Sequence, residues 1–548
     1  MTAPTAPAAP TPDAPHAALT HRQILVVLSG LLLGMFLAAL DQTIVSTAMR
    51  TIADQLNGQT AQAWVTTAYL ITSTISTPLY GKLSDQYGRK PFYLFAIVIF
   101  VVGSVLCGLA QSIYELAAYR AVQGLGAGGL MSLAFAIVGD LVPPRERGRY
   151  QGWFMAVFGS SSVLGPVLGG AFAGQDTLLG IDGWRWIFYL NVPIGLMALV
   201  VVSRVLTLPR RTSQARIDHI GAALLTSTIV PVLLVAEKGR EWGWSSGLTL
   251  GLIALSVVSL VLFVLRERAV GEAAILPLRV FRSGVFSITS VTSLLVGAGM
   301  FGGMVVLPLY LQIVRGSSPT EAGLQLIPLM IGIIVTSGIA GRIMMRTGRY
   351  KLLPVFGTAF MFAALLLMST LGVDTPIWQA MLYMVLMGAG LGLSMQTLVI
   401  SVQNALPARD MGVATSSVTF FRSLGGTLGA ATSLAVLFGS LAGNITARAQ
   451  AAGLPQEVID RFSSASALDD SSIIATLPDA VQAVVLQGFA DSTSAVFLTV
   501  AFLLVPAFVL TLLVEELPLR AQGGLAAAQA DADTEERLAA SRAESAVL

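Results

Sequence analysis

The chain has 548 residues, of which 55% are hydrophobic and only 11% are charged, and its mean hydropathy is +0.76. A soluble domain of this size has about a quarter of its residues charged, so composition excludes a soluble protein and indicates a multi-pass membrane protein. The net charge of +2 arises from cations dispersed among the loops, and we expect no nucleic-acid partner. The single cysteine, Cys107, excludes an intrachain disulfide, and three scattered histidines provide no metal-ligand spacing.

Long apolar segments predict the architecture, because a spanning helix needs about 20 mostly apolar residues. We predict an all-α membrane protein with fourteen transmembrane helices. The first six are expected near residues 24–45, 64–81, 92–110, 113–141, 152–172 and 186–202. Two inserted helices are expected near residues 219–236 and 248–265. The last six are expected near residues 285–313, 323–341, 352–371, 378–401, 413–441 and 495–514.

The domain organisation that we predict is two six-helix pseudo-repeats separated by the inserted pair. Its parts, in chain order, are a disordered cytoplasmic tail at 1–22, an N-terminal half at 23–206, the inserted helices and linkers at 207–283, a C-terminal half at 284–516 and a cytoplasmic tail at 517–548. The C-terminal half is expected to contain a long non-cytoplasmic loop at 442–491.

Lysine and arginine placement predicts the orientation, since cytoplasmic loops carry an excess of both. Alternate loops, beginning with the one after the second helix, hold 19 such residues, whereas the opposite loops hold seven. Both termini are therefore expected in the cytoplasm, with the protein in the inner (plasma) membrane.

An internal repeat supports the two-half prediction. The basic turn Gly81–Lys90 has a weaker copy at 341–349, in which Met345 replaces the acid Asp85. Three glycines of the fourth helix also recur at a shift of 264 residues: Gly124, Gly126 and Gly128 become Gly388, Gly390 and Gly392. Repeated halves of this kind are typical of transporters.

Four motifs carry a resemblance to a known family. They are the basic turn Gly81–Lys90, the helix-five segment 159–170 with its glycines and proline, Leu40–Val45 at the end of helix one, and Trp184–Phe188 with Asn191 and Pro193. Over about 23–520 the chain resembles the major facilitator superfamily, and within it the fourteen-helix drug:proton antiporters. The resemblance implies two six-helix halves around a central cavity.

Asp41 and Arg120 are the candidate proton-coupling residues. An ionisable residue inside a membrane segment is a functional candidate by default, and the two residues lie at similar depths in helices one and four. Arginine keeps its charge at neutral pH, so Arg120 would tune the nearby acid, as the resemblance also implies. The alternatives are that Asp41 caps or pairs at the outer end of helix one, and that Arg120 pairs structurally with Glu115 or with a helix-end carbonyl.

A second group of candidates lies at the predicted cytoplasmic helix ends. Gly81 and Gly88 permit a close approach and a sharp turn. The resemblance implies that Asp85, Arg89 and Asp140 form a charge network that locks the two halves in one state. The alternative is a topology signal alone.

Two further sets are expected to serve transport. Family resemblance links an antiporter motif in helix five to exporters, although its physics is that of a packing face: Gly159, Gly165, Pro166, Gly169 and Gly170. Four residues are candidates for a substrate cavity: Tyr310, Gln312, Gln396 and Arg422. Arg422 is either a cavity cation or a packing clamp.

We predict a non-enzymatic, proton-coupled antiporter that exports lipophilic drugs or toxic compounds by alternating access. Its partners are a small lipophilic substrate, protons and the lipid bilayer, without a cofactor, and we expect a monomer. The cargo is expected to be neutral or singly charged. One alternative is a dedicated exporter of a natural lipid, a siderophore or a self-made antibiotic. Another is a membrane receptor or scaffold that transports nothing.

Overall fold

A computed structural model describes residues 21–56, 62–143, 146–206, 218–271, 274–317, 319–407, 410–454 and 477–519. The described chain is helical apart from a short antiparallel ladder, β1 (Thr177–Leu178) with β2 (Ile181–Asp182). The first group of helices is α1 (His21–Gln55), α2 (Gln62–Tyr87), α3 (Arg89–Leu109), α4 (Ile113–Leu141), α5 (Gly148–Ala173), α6 (Arg185–Tyr189) and α7 (Asn191–Val205).

Nine further α-helices follow, with a 3-10 turn (Leu278–Arg282) before the third of them and a π-helical turn (Tyr310–Val314) after it. The inserted pair is α8 (His219–Trp242) and α9 (Gly247–Val270). The second group is α10 (Gly284–Leu309), α11 (Pro319–Gln325), α12 (Ile327–Thr347), α13 (Leu352–Met368), α14 (Ile377–Ala405), α15 (Met411–Ala451) and α16 (Asp479–Leu513). Below, α1 to α7 are called the first half and α10 to α16 the second half.

The predicted all-α membrane fold is confirmed at the level of its class. Within the described residues, 12 helical segments are long and apolar enough to cross a membrane. One of them, residues 185–205, is divided at Leu190 into α6 and α7. Two helices fall outside the set: α13 has only 17 residues, and α2 is interrupted by many serines and threonines.

The repeated glycines occupy equivalent packing positions in the two halves. A Cβ on Gly124 of α4 would lie 2.4 Å from the carbonyl oxygen of Tyr69 on α2, and one on Gly388 of α14 would lie 2.0 Å from that of Leu329 on α12. Neither gap admits a methyl group. The glycines two residues later meet backbone carbonyls of α3 and α13 in the same way: Gly126 and Gly390.

One end of the bundle, called the basic end here, holds the Gly81–Lys90 turn. Backbone amides at the start of α15 bind Asp85 of this turn, so the start of α15 lies at the same end. The inserted helix α8 packs against α2 and α15, one from each half, whereas α9 lies outside α8 and exposes most of its leucines and valines.

The predicted loop at 442–491 is wrong in its extent, because both flanking helices continue into it. Arg448 of α15 pairs with Asp491 of α16 at 2.7 Å (Nε to Oδ2), and the Asn444 amide donates to the Ser492 hydroxyl at 2.8 Å. These bonds allow polar residues to extend the helices where hydropathy alone ends them. The central part of the loop lies outside the described residues.

The predicted tails, 1–22 and 517–548, lie almost wholly outside the described residues. The first residues after α16 are held against the end of α14. There the Asn404 amide donates to the carbonyls of Leu517 and Pro518, at 3.4 and 3.1 Å.

Candidate functional site

The carboxylate of Asp41 is enclosed within the first half. The side chain is fully buried in α1. Its Oδ2 accepts a hydrogen bond from Arg120 Nη1 at 2.5 Å, while Oδ1 accepts from Gln123 Nε2 at 2.8 Å and from Asn191 Nδ2 at 2.7 Å. Three helices, α1, α4 and α7, thus meet at one acid. The structure brings Asp41 and Arg120 together as the sequence predicts, and it supplies two neutral donors beside them.

Further polar groups hold these donors in place. The Ser104 hydroxyl of α3 accepts from Gln123 at 2.6 Å and from Asn191 at 3.2 Å. The Arg120 guanidinium lies over the ring of Tyr69 on α2, 4.0 Å from its centroid, which is a cation–π distance. Every donor to Asp41 therefore has a second contact that fixes its direction.

Sequence reasoning missed most of this surrounding group. Gln123 follows Arg120 by three residues on one helix, and that spacing places both on the same face, so a signal existed. Asn191 was noted only as typical of a family branch. Ser104 and Tyr69 carried no signal, because a hydroxyl in an apolar helix is usually bonded to its own backbone.

This arrangement is suited to a coupled change of charge. Arg120 and Asp41 compensate each other in a site from which water is excluded, and the arginine cannot give up its proton. Protonating Asp41 would leave the arginine as an uncompensated buried charge, which is costly. The geometry thus makes the charges of Asp41 and Arg120 depend on how α1, α4 and α7 pack together.

A second cluster closes around Arg89 at the basic end. Its guanidinium pairs with Asp85 at 2.6 Å (Nη2 to Oδ1) and with Asp140 at 2.8 Å (Nε to Oδ2), and its Nη1 donates to the Ser84 hydroxyl at 2.6 Å. Arg89 is only 5% exposed. The structure brings these three predicted gating residues together. Gly88 precedes α3 with a φ of +99°, a conformation that strongly favours glycine.

The same cluster joins the two halves. The Asp85 carboxylate accepts hydrogen bonds from the backbone N–H groups of Gly412 (3.0 Å) and Val413 (2.9 Å). These belong to the first turn of α15, where a helix binds anions best. A Cβ on Gly81 would lie 2.0 Å from the Ser416 hydroxyl, so that turn of α2 fits closely against α15.

Other bonds at the basic end strengthen this closure. Arg147, before α5, donates to the Gln403 side chain of α14 and to the Gly139 carbonyl of α4. Arg279, in the linker that follows the inserted pair, forms two bonds with Asp410 before α15, at 2.7 and 3.0 Å. The basic end is thus closed by contacts between the halves.

The predicted antiporter motif lies partly against α1, close to the acid. A Cβ on Gly165 would be 2.2 Å from the Thr43 hydroxyl, and one on Gly169 would be 2.9 Å from the Ile44 carbonyl. Both contacts follow Asp41 directly in α1. The motif's packing face therefore fixes the helix that carries the acid.

The other motif residues face elsewhere. A Cβ on Gly159 would reach Ile334 of α12 at 3.5 Å, and Pro166 lies toward α11. Gly170 has open space where a Cβ would be. Close packing on α1 accordingly requires glycine at only two of the five positions.

The four predicted cavity residues do not form one group. Tyr310 is fully buried in the packed core, where its hydroxyl donates to the Gly372 carbonyl at 3.0 Å. Gln312 is exposed. Gln396 lines a void of only about 20 Å³ between α4 and α14, too small for a substrate. Arg422 is 9% exposed in α15.

Comparison with known proteins identifies the family. A model described as Major Facilitator Superfamily matches residues 31–430. The chain belongs to the major facilitator superfamily. The resemblance drawn from the motifs is thereby confirmed, and the chain is a membrane transporter rather than an enzyme or a non-transporting receptor.

Individual relatives agree with this assignment. The chain is 39% identical to an uncharacterized MFS-type transporter, Rv1877, of Mycobacterium tuberculosis, over 94% of this chain and 73% of that protein. It is 37% identical to the multidrug transporter protein MdtP of Bacillus subtilis, over 73% of each chain. A solved structure of the proton:xylose symporter XylE superposes with a TM-score of 0.56 at 16% identity, covering 91% of this chain and 97% of that one. That likeness shows the fold alone.

Proposed function

We propose that this transporter is a proton-coupled antiporter that exports lipophilic compounds by alternating access. The observation that carries the proposal is the fully buried site in which Asp41 is bound to Arg120, Gln123 and Asn191. An enclosed acid whose charge state is tied to helix packing can exchange protons only when the packing changes. The names of multidrug transporters and efflux pumps among the relatives support export of drug-like compounds.

The orientation and the domain division belong to the same proposal. The basic end faces the cytoplasm, as its lysines and arginines favour, and both termini are cytoplasmic. The halves at 23–206 and 284–516 rock against each other, with the inserted pair at 207–283. Helices α2 and α13 also cross the membrane, which gives fourteen spans in the plasma membrane; α13 is short but strongly apolar, and α2 is sheltered by α4 and α15.

In the proposed cycle, the closed basic end represents the state that opens outward. Asp85, Arg89 and Asp140 hold this state closed on the cytoplasmic side. A proton from outside neutralises Asp41, releases Arg120 from it and favours repacking of α1 against α5 at Gly165 and its neighbours. Cargo leaves outward, and loss of the proton inside resets the acid.

The test uses proteoliposomes with and without an imposed pH gradient, against a panel of lipophilic dyes and antibiotics. Wild-type protein is expected to accumulate dye only with the gradient, and Asp41→Asn is expected to abolish that accumulation. Asp374→Asn, which alters an exposed acid, is the matched control. Gradient-driven uptake by Asp41→Asn at the wild-type rate would refute proton coupling through this residue.

A further inference from the structure

Arg422 is a cation in the interior of the bundle that the proposed proton cycle does not use. It stands eleven residues after Met411, the first residue of α15, which is about 16 Å along the helix axis. Arg422 is only 9% exposed, and its Nη1 has no hydrogen-bond partner within the described part of the chain. Nor does any described acid pair with it. Arg120 has Asp41 as its partner, whereas the described residues provide no such acid for Arg422.

The packing of α15 on α10 shows which residues share its level. A Cβ on Gly425 would meet the Leu294 carbonyl at 1.9 Å, and one on Gly429 would meet the Ala298 carbonyl at 2.3 Å. Both contacts have the same offset, so the two helices run parallel and in register. A Cβ on Gly297 would meet the Arg422 carbonyl at 2.1 Å, so the backbone of Arg422 lies against Gly297 of α10.

Four hydroxyls of α10 lie about one to two turns before Gly297. All are buried, and their oxygens have no hydrogen-bond partner among the described residues: Thr289, Ser290, Thr292 and Ser293. Long helical side chains lean toward the start of their helix, which brings the Arg422 guanidinium toward these hydroxyls. Buried polar groups are normally bonded, so the unbonded Arg422 Nη1 and the unbonded hydroxyls in the same part of the bundle point to a partner that accepts hydrogen bonds and carries negative charge.

The part of the chain that the structure describes offers no such partner for Arg422. Asp41 has both oxygens occupied and no exposed surface. Asp41 and Arg120 compensate each other, so Arg422 remains a buried cation without a described acid to compensate it. Water would satisfy the hydroxyls, but it would not compensate the charge.

We propose that Arg422 and the α10 hydroxyls form the polar subsite for the cargo, and that the cargo is a lipophilic compound bearing one carboxylate. This rests on the proposed export function and narrows it. The guanidinium pairs with the carboxylate, the hydroxyls donate to its oxygens, and the apolar remainder of the cargo packs among the surrounding helices.

The test measures binding rather than transport. Full-length protein in lipid nanodiscs is titrated with dansyl-undecanoic acid and with its uncharged primary amide, two probes of matched size. Wild type is expected to bind the acid at least about tenfold more tightly than the amide, because a charge-assisted bond is replaced by a neutral one. Arg422→Gln should remove that preference and leave amide binding unchanged, while Arg422→Lys keeps part of it. Arg346→Gln, which removes an exposed arginine of α12, should match wild type.

The outcomes separate this subsite from the export proposal. Equal affinity of wild type for both probes, or equal weakening of both by Arg422→Gln, overturns the subsite and makes Arg422 a packing clamp. In either case, the export function stands if the Arg422→Gln protein still exports neutral dyes when a pH gradient is imposed. Acid-selective binding without any gradient-driven transport has the opposite meaning: the anion subsite holds and the antiport proposal fails.

Discussion

Asp85→Asn is expected to open the basic end of the transporter. The carboxylate of Asp85 accepts two backbone N–H groups across the halves, from Gly412 and Val413, and pairs with Arg89 within its own half. Asparagine keeps one acceptor oxygen, but it turns an NH₂ group toward the second N–H. One charge-assisted bond is lost, together with the negative charge at the start of α15.

The size of the effect follows from these contacts. A hydrogen bond to a charged group contributes about 1.5–3 kcal/mol, and a charge at a helix start contributes somewhat less than 1 kcal/mol when exposed and more when partly buried. The closed state should therefore lose about 2–3 kcal/mol relative to the open one, which is roughly a 30- to 140-fold change in their ratio. Asp140→Asn is the matched control, because Asp140 pairs with Arg89 inside the first half and makes no bond across it among the described residues.

The assay is thiol modification at Val138→Cys. Val138 is 6% exposed and lines the small void between α4 and α14 that separates the halves at the basic end. The measurement uses inverted vesicles and protein in which Cys107→Ser leaves Val138→Cys as the reactive thiol. This thiol should react much faster when Asp85→Asn is added, and only modestly faster when Asp140→Asn is added. Equal rates of thiol modification with and without Asp85→Asn would refute the idea that the Asp85 carboxylate keeps the basic end closed.

Three other expectations follow from the same structure. Gln123→Ala removes one donor to the acid and should slow gradient-driven transport by about tenfold, in keeping with one hydrogen bond to a charged group, measured as initial dye uptake; an unchanged rate would count against this donor. Gly165→Ala places a methyl 2.2 Å from the Thr43 hydroxyl and should lower thermal stability and expression, whereas Gly170→Ala, in open space, should not; equal melting temperatures would contradict the packing argument. Ser256→Ala in α9 removes a 2.7 Å bond to a backbone carbonyl of α8 and should leave the substrate profile unchanged in resistance assays, and a changed profile would place the inserted pair on the transport path.

A sequence shows how deep a residue lies in a transmembrane helix, but it shows less well toward which neighbouring helix the side chain points. Asp41 and Arg120 were paired in advance because both charges lie at similar depths in apolar segments, where few other partners exist. Asn191 is the first residue of α7, directly after the break between α6 and α7, and hydropathy does not show that break. The position of Tyr310 in the packed core was not readable for another reason: its hydroxyl donates to the Gly372 carbonyl in the loop after α13, a tertiary contact without any local pattern.

The gate illustrates the same limit. The clustering of Asp85, Arg89 and Asp140 at helix ends was expected, through resemblance and charge. That Asp85 binds the first turn of α15 was not, since the partners there are backbone N–H groups, which are present at every helix start. The continuity of α15 and α16 into 442–491 was not predicted, because it depends on a pair between the two helices, Arg448 with Asp491, that has no local pattern.

The glycine contacts of α4 and α14 have a mechanical consequence. With backbone carbonyls about 2 Å from where a methyl would stand, in both halves, neighbouring helices such as α2 and α4 have no soft layer of side chains between them. We expect each group of helices packed in this way to move as a rigid body. A small displacement at Asp41 should then be transmitted to the far ends of the helices with little internal deformation, and the interface between the two halves should be the part that changes. Inhibitors that bind at the interface between the two halves should therefore block transport whatever the cargo is.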